Sequence, residues 1–238
     1  MTVSGANKKR IALVTGGSSG IGKAIVEKLL LNECIVVNAD ITEEIANSDS
    51  RYYYKKTDVT IGEQVQQLYD YVRDDVGSPD LLICNAGKGI HEKISEGDPE
   101  KWFNVINLNI MGTLRILRSF LPYLQEQSQS HIIIISSVSS KNTYEYGGIY
   151  AASKAALDMI AETLRIELIN KTKVTVISPG IVDTNFFNHL ESGELNVESI
   201  GFGSLKPEDV ADAVLYAINA GSGTSINQII LRPNKQIF

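Results

Sequence analysis

A tyrosine and a lysine stand four residues apart in the stretch Tyr150-Ala-Ala-Ser-Lys154, within a segment of helical hydrophobic periodicity. Side chains at this spacing lie on one face of a helix, so the phenol and the ammonium would be neighbours. A free tyrosine ionises near pH ~10, and an adjacent cation lowers that pKa. The pair would then exchange a proton with a hydroxyl or carbonyl oxygen. An inert pair on a helix surface is the alternative, and these two residues alone do not exclude it.

A serine precedes this pair at the end of a strand-like run. Ser137 lies thirteen residues before Tyr150 and closely follows four consecutive isoleucines. Such a β-branched run predicts a central strand buried on both faces, with Ser137 at its carboxyl end. The serine hydroxyl would hold a substrate oxygen beside the phenol. Ser136, Ser139 and Ser140 are competitors that spacing alone does not separate from Ser137.

A glycine-rich segment, Thr15-Gly-Gly-Ser-Ser-Gly-Ile-Gly22, joins the first predicted strand to the first predicted helix. Glycines let the backbone turn tightly and approach a pyrophosphate, and a helix N-terminus offers free N–H groups. The spacing differs by one residue from the dinucleotide fingerprint G-x-G-x-x-G, and an ordinary glycine-rich turn is the alternative. The residues predicted to border the phosphates are Gly16, Ser18, Ser19, Gly20, Ile21 and Gly22.

An aspartate strengthens the dinucleotide interpretation. Asp40 lies eighteen residues after Gly22, at the end of the second predicted strand. A carboxylate there accepts hydrogen bonds from ribose hydroxyls and repels a 2′-phosphate. The neighbouring positions offer Ser19 and Ile41 rather than the Arg or Lys that a 2′-phosphate requires. The sequence therefore favours NAD over NADP, while a plain turn role for Asp40 stays open.

The elements that position these residues alternate between strand and helix. The predicted strands are Ile11–Thr15, Cys34–Ala39, Tyr52–Lys56, Leu81–Cys84, His131–Ser136, Lys173–Ile177 and Ile226–Leu231. The predicted helices are Ile21–Leu31, Gln64–Val76, a bent one from Pro99 to Leu124, Tyr150–Asn170 and Pro207–Ala220. Helical crossovers imply parallel pairing. We expect an α/β fold: a single domain, residues 1–238, with one doubly wound parallel sheet of about seven strands and helices on both faces. The motifs fall at carboxyl ends of strands, where such sheets bind ligands.

Composition excludes several other classes of protein. The 28 acidic residues against 22 basic ones give a net charge of −6, which argues against nucleic acid or an anionic membrane as partner. No apolar run reaches the ~18 residues of a membrane span. Cys34 and Cys84 are too few for a disulfide framework, and His91, His131 and His189 lack metal-ligand spacing. No metal and a cytoplasmic location are expected.

Taken together, these motifs resemble those of the short-chain dehydrogenase/reductase family, in its single-domain type with a Rossmann-like fold. The matching segments, between Ile11 and about Ile230, are Thr15-Gly-x-x-x-Gly-Ile-Gly22, Asp58-Val59, Asn85-Ala86-Gly87, Asn109, Ser137, Tyr150-x-x-x-Lys154 and Pro179-Gly180. The resemblance implies an oxidoreductase that transfers a hydride between NAD and an alcohol or carbonyl group of a small molecule. A catalytically silent dinucleotide-binding or sensing protein of the same fold is the alternative.

The resemblance also implies roles for the catalytic set. Tyr150 is the acid/base, Ser137 orients the substrate oxygen, and Lys154 binds the nicotinamide ribose and lowers the pKa of the tyrosine. Asn109, favoured over Asn107, holds a water that extends the proton relay toward Lys154.

Further cofactor contacts are implied at three other strand ends. They are Asp58 and Val59 near the adenine, Asn85, Ala86 and Gly87 beside the cofactor, and Pro179, Gly180, Ile181, Val182 and Thr184 around the nicotinamide carboxamide. The chain departs from the family pattern in having Cys84 before Asn85 and in lacking a terminal Asp-Gly-Gly.

Expectations for the rest of the chain are less specific. Residues 1–9 read as a flexible N-terminus and 185–203 as an apolar substrate lid containing Phe186 and Phe187. Spare apolar residues on the helices that end near 124 and 170, together with the resemblance, suggest a homodimer or homotetramer; they include Leu114, Ile116, Leu117 and Phe120. The candidates for the substrate pocket are Lys88, His91, Asn142, Tyr144 and Tyr146.

Overall fold

Strands and helices alternate along residues 9–42, 47–169, 171–195 and 200–237, which are the residues that the computed structural model describes. The strands are β1 Ile11–Thr15, β2 Ile35–Asp40, β3 Tyr52–Lys56, β4 Leu81–Cys84, β5 Ser130–Ile135, β6 Thr172–Pro179 and β7 Gln228–Leu231. The helices are α1 Gly20–Leu31, α2 Gly62–Tyr71, α3 Pro99–Ile106, α4 Thr113–Glu126, α5 Gly148–Glu167 and α6 Pro207–Ile218. Nearly all of the predicted flexible N-terminus, residues 1–8, lies outside these ranges.

The seven strands form one sheet in the order β3-β2-β1-β4-β5-β6-β7, and every pair of neighbours is parallel. The predicted doubly wound α/β sheet is confirmed. The chain moves outward from β1 to β3 and then returns to the other side of β1 at β4. This reversal opens a crevice beyond the carboxyl ends of β1 and β4, where such sheets bind ligands.

The run of isoleucines explains why β5 lies in the middle of the molecule. Alternate side chains of a strand point to opposite faces, so Ile132 and Ile134 join the hydrophobic cluster on one side of the sheet. Ile133 and Ile135 join the cluster on the other side. A strand with both faces apolar has to be covered by helices on both sides. Because β5 is also the neighbour of β4, its carboxyl end borders the crevice.

Two helix boundaries differ from the sequence prediction in ways that concern the crevice. Helix α5 begins at Gly148, which places Tyr150 in its first turn. The helix predicted to start at Pro99 bends through a π-helical segment, Asn107–Gly112, which separates α3 from α4. A π-helical segment inserts an extra residue and reorients side chains, and Asn109 lies in it.

The apolar face of α4 belongs to the core of this chain. Ile116, Leu117 and Phe120 are buried and Leu114 packs against the same cluster, so these four residues do not form a spare face for self-association. The exposed apolar side chains on α5 are instead Met159 and Ile166. No helix in the described part of the chain is long and apolar enough to cross a membrane.

His131, near the amino end of β5, is buried in the sheet. Its Nε2 lies 2.8 Å from Thr175 Oγ1. Burial, with nearby Arg10 and Lys173, lowers the pKa of the ring to about 3. In the unfolded chain the pKa returns to ~6.5, so below that pH the unfolded chain binds a proton that the folded chain does not. This contribution to stability is complete above pH ~6.5 and is lost as the pH falls toward ~3.

We expect the free energy of unfolding to fall by about 2 kcal/mol between about pH 7.5 and about pH 5 because of this one ring. Urea unfolding at the two pH values measures the change. The variant His131→Gln cannot bind the proton and should lose this part of the pH dependence. The exposed His189 provides the control, because His189→Gln should keep it. Equal pH dependence in the wild type and in His131→Gln would contradict the assignment.

Candidate active site

The loop between β1 and α1 is built around glycine. Gly16 and Gly20 have φ angles of +68° and +49°, in the left-handed region that favours glycine. A Cβ on Gly22 would lie 1.9 Å from the carbonyl oxygen of Gly16, so only glycine permits this close approach. The N-cap residue, Ser19, makes no side-chain cap hydrogen bond, and the first turn of α1 contains no acidic residue. The N-terminus of α1 therefore offers backbone N–H donors to an anion.

Asn85 holds this loop against the end of β4. Its Nδ2 donates to the carbonyl oxygens of Thr15 at 3.0 Å and Gly16 at 2.9 Å. The Thr15 hydroxyl accepts in return from the backbone N–H groups of Asn85 and Ala86. The two strand ends on either side of the topological reversal are thereby joined by four hydrogen bonds.

Asp40 has both a turn role and a place in the crevice. Its Oδ2 accepts from the backbone N–H of Ser18 at 2.9 Å. Its Oδ1 accepts from the backbone N–H and the hydroxyl of Thr42 at 2.9 and 2.8 Å. The carboxylate thus fixes the glycine loop relative to β2, while the residue itself lines the cavity. The two interpretations left open by the sequence are compatible.

A cavity of about 850 Å³ extends along the carboxyl ends of the strands. That volume lies in the range of cofactor and ligand sites. Two of the predicted residues do not line it: Ser18, whose backbone N–H donates to Asp40, and the buried Asn109. The other predicted residues all line it: Gly16, Ser19, Gly20, Ile21, Gly22, Asp40, Ile41, Asp58, Val59, Asn85, Ala86, Gly87, Ser137, Tyr150, Lys154, Pro179, Gly180, Ile181, Val182 and Thr184.

The four serines after β5 have different partners. Ser137 hydrogen-bonds the phenol of Tyr150, and its Oγ accepts from the backbone N–H of Ser139 at 3.1 Å. The Ser136 hydroxyl donates to the carbonyl oxygen of Lys154, 3.3 Å away. Ser140 donates instead to a carboxylate further along α5. Ser137 is therefore the serine whose hydroxyl meets the phenol.

Tyr150 and Lys154 lie side by side at the end of the cavity, with Lys154 Nζ 5.8 Å from the centroid of the tyrosine ring. The ammonium donates to the carbonyl oxygen of Ile135 at 2.9 Å. Burial lowers the pKa of Lys154 to about 8, which leaves the side chain largely charged at neutral pH.

The pKa of Tyr150 differs from the sequence expectation in this structure. Burial raises the pKa of the phenol above its ordinary value, and the hydrogen bond from Ser137 opposes that shift only in part. The net lowering expected from Lys154 is not found, although its ammonium lies beside the tyrosine ring and donates to the backbone of β5. Loss of water around the phenol therefore outweighs the neighbouring cation.

Asn109 has no direct contact with the cavity. Its Nδ2 donates to the carbonyl oxygen of Lys88 at 3.0 Å and to Ser153 Oγ at 2.9 Å. Its Oδ1 accepts from the backbone N–H of Lys88 at 3.0 Å. A Cβ on Gly87 would lie 3.0 Å from that Oδ1 and 3.6 Å from Lys154 Nζ. Asn109 thus fixes the backbone at Gly87 and Lys88, which lies next to Lys154 Nζ. The alternative, Asn107, lines the cavity and bonds to Arg115.

The cavity wall beside Ile181 contains a residue, Gln236, that sequence patterns did not single out. The side chain of Gln236 reaches into the cavity, and its Oε1 accepts from the backbone N–H of Ile181 at 3.1 Å. A Cβ on Gly180 would lie 2.0 Å from that oxygen, so this glycine makes room for the C-terminal segment. No motif signals the contact, because the C-terminal residues depart from the pattern that the other motifs follow.

The substrate candidates separate into two groups. Lys88, Asn142 and Tyr144 line the cavity, whereas His91 and Tyr146 pack edge to face, 5.3 Å apart, outside it. The Lys88 ammonium pairs with Glu191 of the predicted lid. Phe186, Phe187, Leu195 and Phe202, which also belong to that lid, line the cavity, and residues 196–199 of it lie outside the described ranges.

The residues present fit a dinucleotide. The close approach of Gly22 to Gly16 leaves a side-chain-free loop for the phosphates. Gly20 packs directly against Thr184, whose methyl group would lie 3.2 Å from a Cβ built on the glycine. Asp40, at the end of β2, and Tyr150, in the first turn of α5, line the same cavity. No group of three or more metal-ligating side chains occurs among the described residues.

Comparisons with known proteins agree with this geometry. The family model described as short chain dehydrogenase matches residues 10–195. An uncharacterized oxidoreductase of Staphylococcus epidermidis is 35% identical over 232 residues, which are 95% of this chain and 98% of the relative. A serine dehydrogenase solved in its closed form with NADP+ superposes with a TM-score of 0.86 at 26% identity, covering 96% of both chains. An alcohol dehydrogenase from Thermococcus sibiricus, solved with 5-hydroxy-NADP, gives 0.82 at 26% identity over 96% of this chain and 98% of that one.

Proposed function

The chain belongs to the short-chain dehydrogenase family, and from that premise we propose that it transfers a hydride between NAD and the alcohol or carbonyl group of a small molecule. One observation carries the proposal. The Tyr150 phenol meets the Ser137 hydroxyl, with the Lys154 ammonium beside the ring, at one end of a cavity that begins at a glycine loop. That arrangement puts a proton-transferring group where a substrate oxygen can reach it.

Tyr150 moves the proton in this proposal. In the oxidation direction the phenolate accepts the proton from the substrate hydroxyl, and in reduction the phenol donates it to the carbonyl oxygen. Ser137 holds that oxygen by a hydrogen bond. The phenolate is the form in which the tyrosine accepts a proton. The positive charge of Lys154 stabilises this form against the effect of burial, which favours the neutral phenol. Asn109 acts at one remove by holding the segment that covers Lys154.

The cofactor would extend from Asp40 to Tyr150. The α1 N-terminus and its glycine loop would hold the pyrophosphate, Asp58 and Val59 would face the adenine, and the segment 179–184 would face the nicotinamide. When bound, the nicotinamide supplies the acceptor or donor of the hydride. The protein supplies the binding, the orientation and the proton transfer.

Two further elements complete the proposal. The described parts of the predicted lid, residues 185–195 and 200–203, would cover the substrate, and Glu191 is anchored there by its ion pair with Lys88 and by a hydrogen bond from Asn104. The chain associates as a homodimer or homotetramer, as is common in the family, and the exposed Met159 and Ile166 of α5 are apolar surface that a second copy would cover. The whole chain, residues 1–238, is a single catalytic domain.

The preference for NAD rests on Asp40. The two structural relatives described above were solved with NADP or a derivative of it. Here the Asp40 carboxylate lies at the end of β2, where it would repel a 2′-phosphate. We expect Asp40→Asn to raise the ratio of NADP to NAD affinity by about 10- to 100-fold, since like charges in contact cost several kcal/mol. Fluorescence titration with each dinucleotide measures the two Kd values.

Asp58 provides the matched control, because it is also a cavity carboxylate in an equivalent turn. Its Oδ1 accepts from the backbone N–H and the hydroxyl of Thr60, as Asp40 does from Thr42. Asp58→Asn should leave the ratio of the two affinities within about twofold, because in this proposal Asp58 would face the adenine rather than the ribose. An equal change in both variants would show that the charge of the cavity, rather than Asp40, sets the preference.

A turnover screen tests the function as a whole. Small hydroxy compounds and their carbonyl counterparts are incubated with the chain and either dinucleotide, and the absorbance of the reduced nicotinamide is followed. Turnover of at least one compound supports the proposal. Tight dinucleotide binding without turnover of any of them would favour the catalytically silent sensor.

A further inference from the structure

A third polar residue continues the stripe of α5 that carries the tyrosine and the lysine. Asp158 follows Lys154 by four residues, as Lys154 follows Tyr150, so all three lie along one face of the helix. The side chain of Asp158 is 18% exposed. An acid four residues after a buried lysine is the nearest charge that the helix itself can place beside it.

The carboxylate of Asp158 is fixed on one side and has no hydrogen-bond partner on the other. Its Oδ2 accepts from the Ser140 hydroxyl at 2.7 Å, with Lys141 Nζ 3.9 Å away. Its Oδ1 is buried and has no hydrogen-bond partner among the described residues. A buried carboxylate oxygen without a partner costs free energy, so its retention calls for an explanation beyond local stability.

The surroundings of Lys154 supply that explanation. Its side chain is almost fully buried, and burial favours the neutral amine. Asp158 is the charge that opposes this effect and raises the pKa of Lys154. The other groups around the lysine carry no charge: β5 contributes the Ile135 carbonyl, which accepts from the ammonium, and the π-helical segment contributes Asn109.

Within the described ranges, the other titratable groups near this stripe are Tyr150, Lys88 and Lys141. Tyr150 is on the same helix face, and burial raises its pKa, which favours the neutral phenol. The Lys88 ammonium is paired with Glu191 and Lys141 lies near Asp158 itself. None of these groups brings a negative charge to Lys154 at neutral pH, which leaves Asp158 to do so.

We propose that Asp158 is a positioning residue that acts through its charge and keeps Lys154 cationic at neutral pH, a role that rests on the proposed function of Lys154. Asp158 does not touch substrate or cofactor. The hydrogen bond from Ser140 occupies one oxygen of the carboxylate, while the proposed effect on Lys154 depends on the negative charge.

The direct test follows the titration of Lys154 Nζ by NMR in the chain labelled with [15N]lysine, with the signal assigned by its loss in Lys154→Arg. Asp158→Asn keeps the size and a hydrogen-bond acceptor for Ser140 but removes the charge. We expect Lys154 to titrate about one pH unit lower in that variant. Asp158→Glu, which restores the charge, should return most of the shift. A titration unchanged in Asp158→Asn would overturn the proposal.

Ser140→Ala is the matched control, since it removes the hydrogen bond and leaves the carboxylate. Its Lys154 titration should stay close to that of the wild type, and a shift as large as that of Asp158→Asn would show that the tether, not the charge, is what matters. Circular dichroism checks that each variant is folded. If Asp158→Asn does not fold, Asp158→Ser provides the same loss of charge.

The pH profile of turnover supplies the second readout. In Asp158→Asn the alkaline limb of kcat should move to lower pH by the same amount as the lysine titration, whereas the profile of Ser140→Ala should not move. A profile that does not follow the titration would overturn the link to catalysis. Absence of turnover in the wild type would instead count against the proposed function, because the titration is measured without substrate and decides the electrostatic claim separately.

Discussion

Replacing Tyr150 by phenylalanine will reduce kcat by about a thousandfold or more, while the Kd for the dinucleotide stays within about twofold. The substitution removes one oxygen from a side chain that otherwise keeps its ring against Lys154 and Phe186. The oxygen is the group that meets Ser137, so its loss removes the proton-transferring atom and leaves the wall of the cavity in place. Initial rates with a substrate from the screen and a fluorescence titration of the cofactor measure the two quantities.

Tyr144 provides a control of the same chemistry in the same cavity. Its ring lies 6.1 Å from that of His91, and burial raises the pKa of its phenol, as it does for Tyr150. Tyr144→Phe should change kcat by less than about tenfold. Tyr144 precedes α5 and does not share a helix face with Lys154, whereas Tyr150 does. Retention of more than about a tenth of the wild-type kcat in Tyr150→Phe would remove the tyrosine from its proposed role, and another group would then have to transfer the proton.

The sequence predicts the order of the fold well because each element is marked by a local physical signal. The four isoleucines can be buried only in a strand with helices on both sides, and that is where β5 lies. The glycines around the start of α1 indicate a backbone packed too closely for side chains. The structure shows this at Gly22, where a Cβ would lie 1.9 Å from the Gly16 oxygen. Hydrophobic periodicity and the exclusion of side chains at glycine positions depend on residues that are close in sequence, so both can be recognised in a single sequence.

Other features of the site depend on contacts between distant residues and could not be predicted. Gln236 reaches the Ile181 backbone from 55 residues away, and no spacing rule connects the two. The pKa of Tyr150 depends on how much water the fold removes around the phenol, whereas the Tyr-Lys spacing reports only the neighbouring charge. The sequence does not show whether the Asn109 side chain points to the cavity or to Lys88. In the structure Asn109 lies in the π-helical segment, and its side chain bonds to the backbone of Lys88.

The substitution Gly22→Ala will damage both stability and cofactor binding. The new Cβ would lie 1.9 Å from the Gly16 oxygen and 2.5 Å from Asn85 Nδ2, far inside contact distance, so backbone atoms have to move. The loop has little freedom to do so, because the Gly16 N–H donates to the Ala39 oxygen at 2.9 Å. Overpacking of this kind costs about 3 kcal/mol, and displacing the loop should weaken dinucleotide binding by about a hundredfold.

Gly62, the first residue of α2, is the matched control for this substitution. A Cβ on Gly62 meets nothing within 4 Å, and alanine has the higher helix propensity, so Gly62→Ala should be neutral or stabilising by up to about 1 kcal/mol. Urea unfolding and dinucleotide titration compare the two variants under the same conditions. If Gly22→Ala unfolds and binds like the wild type, the loop adapts without cost, and the glycine at position 22 is not what shapes the phosphate end of the cavity. If it unfolds like the wild type but loses the dinucleotide, the steric conflict acts on the ligand alone, and the loop is more plastic than its hydrogen bonds indicate.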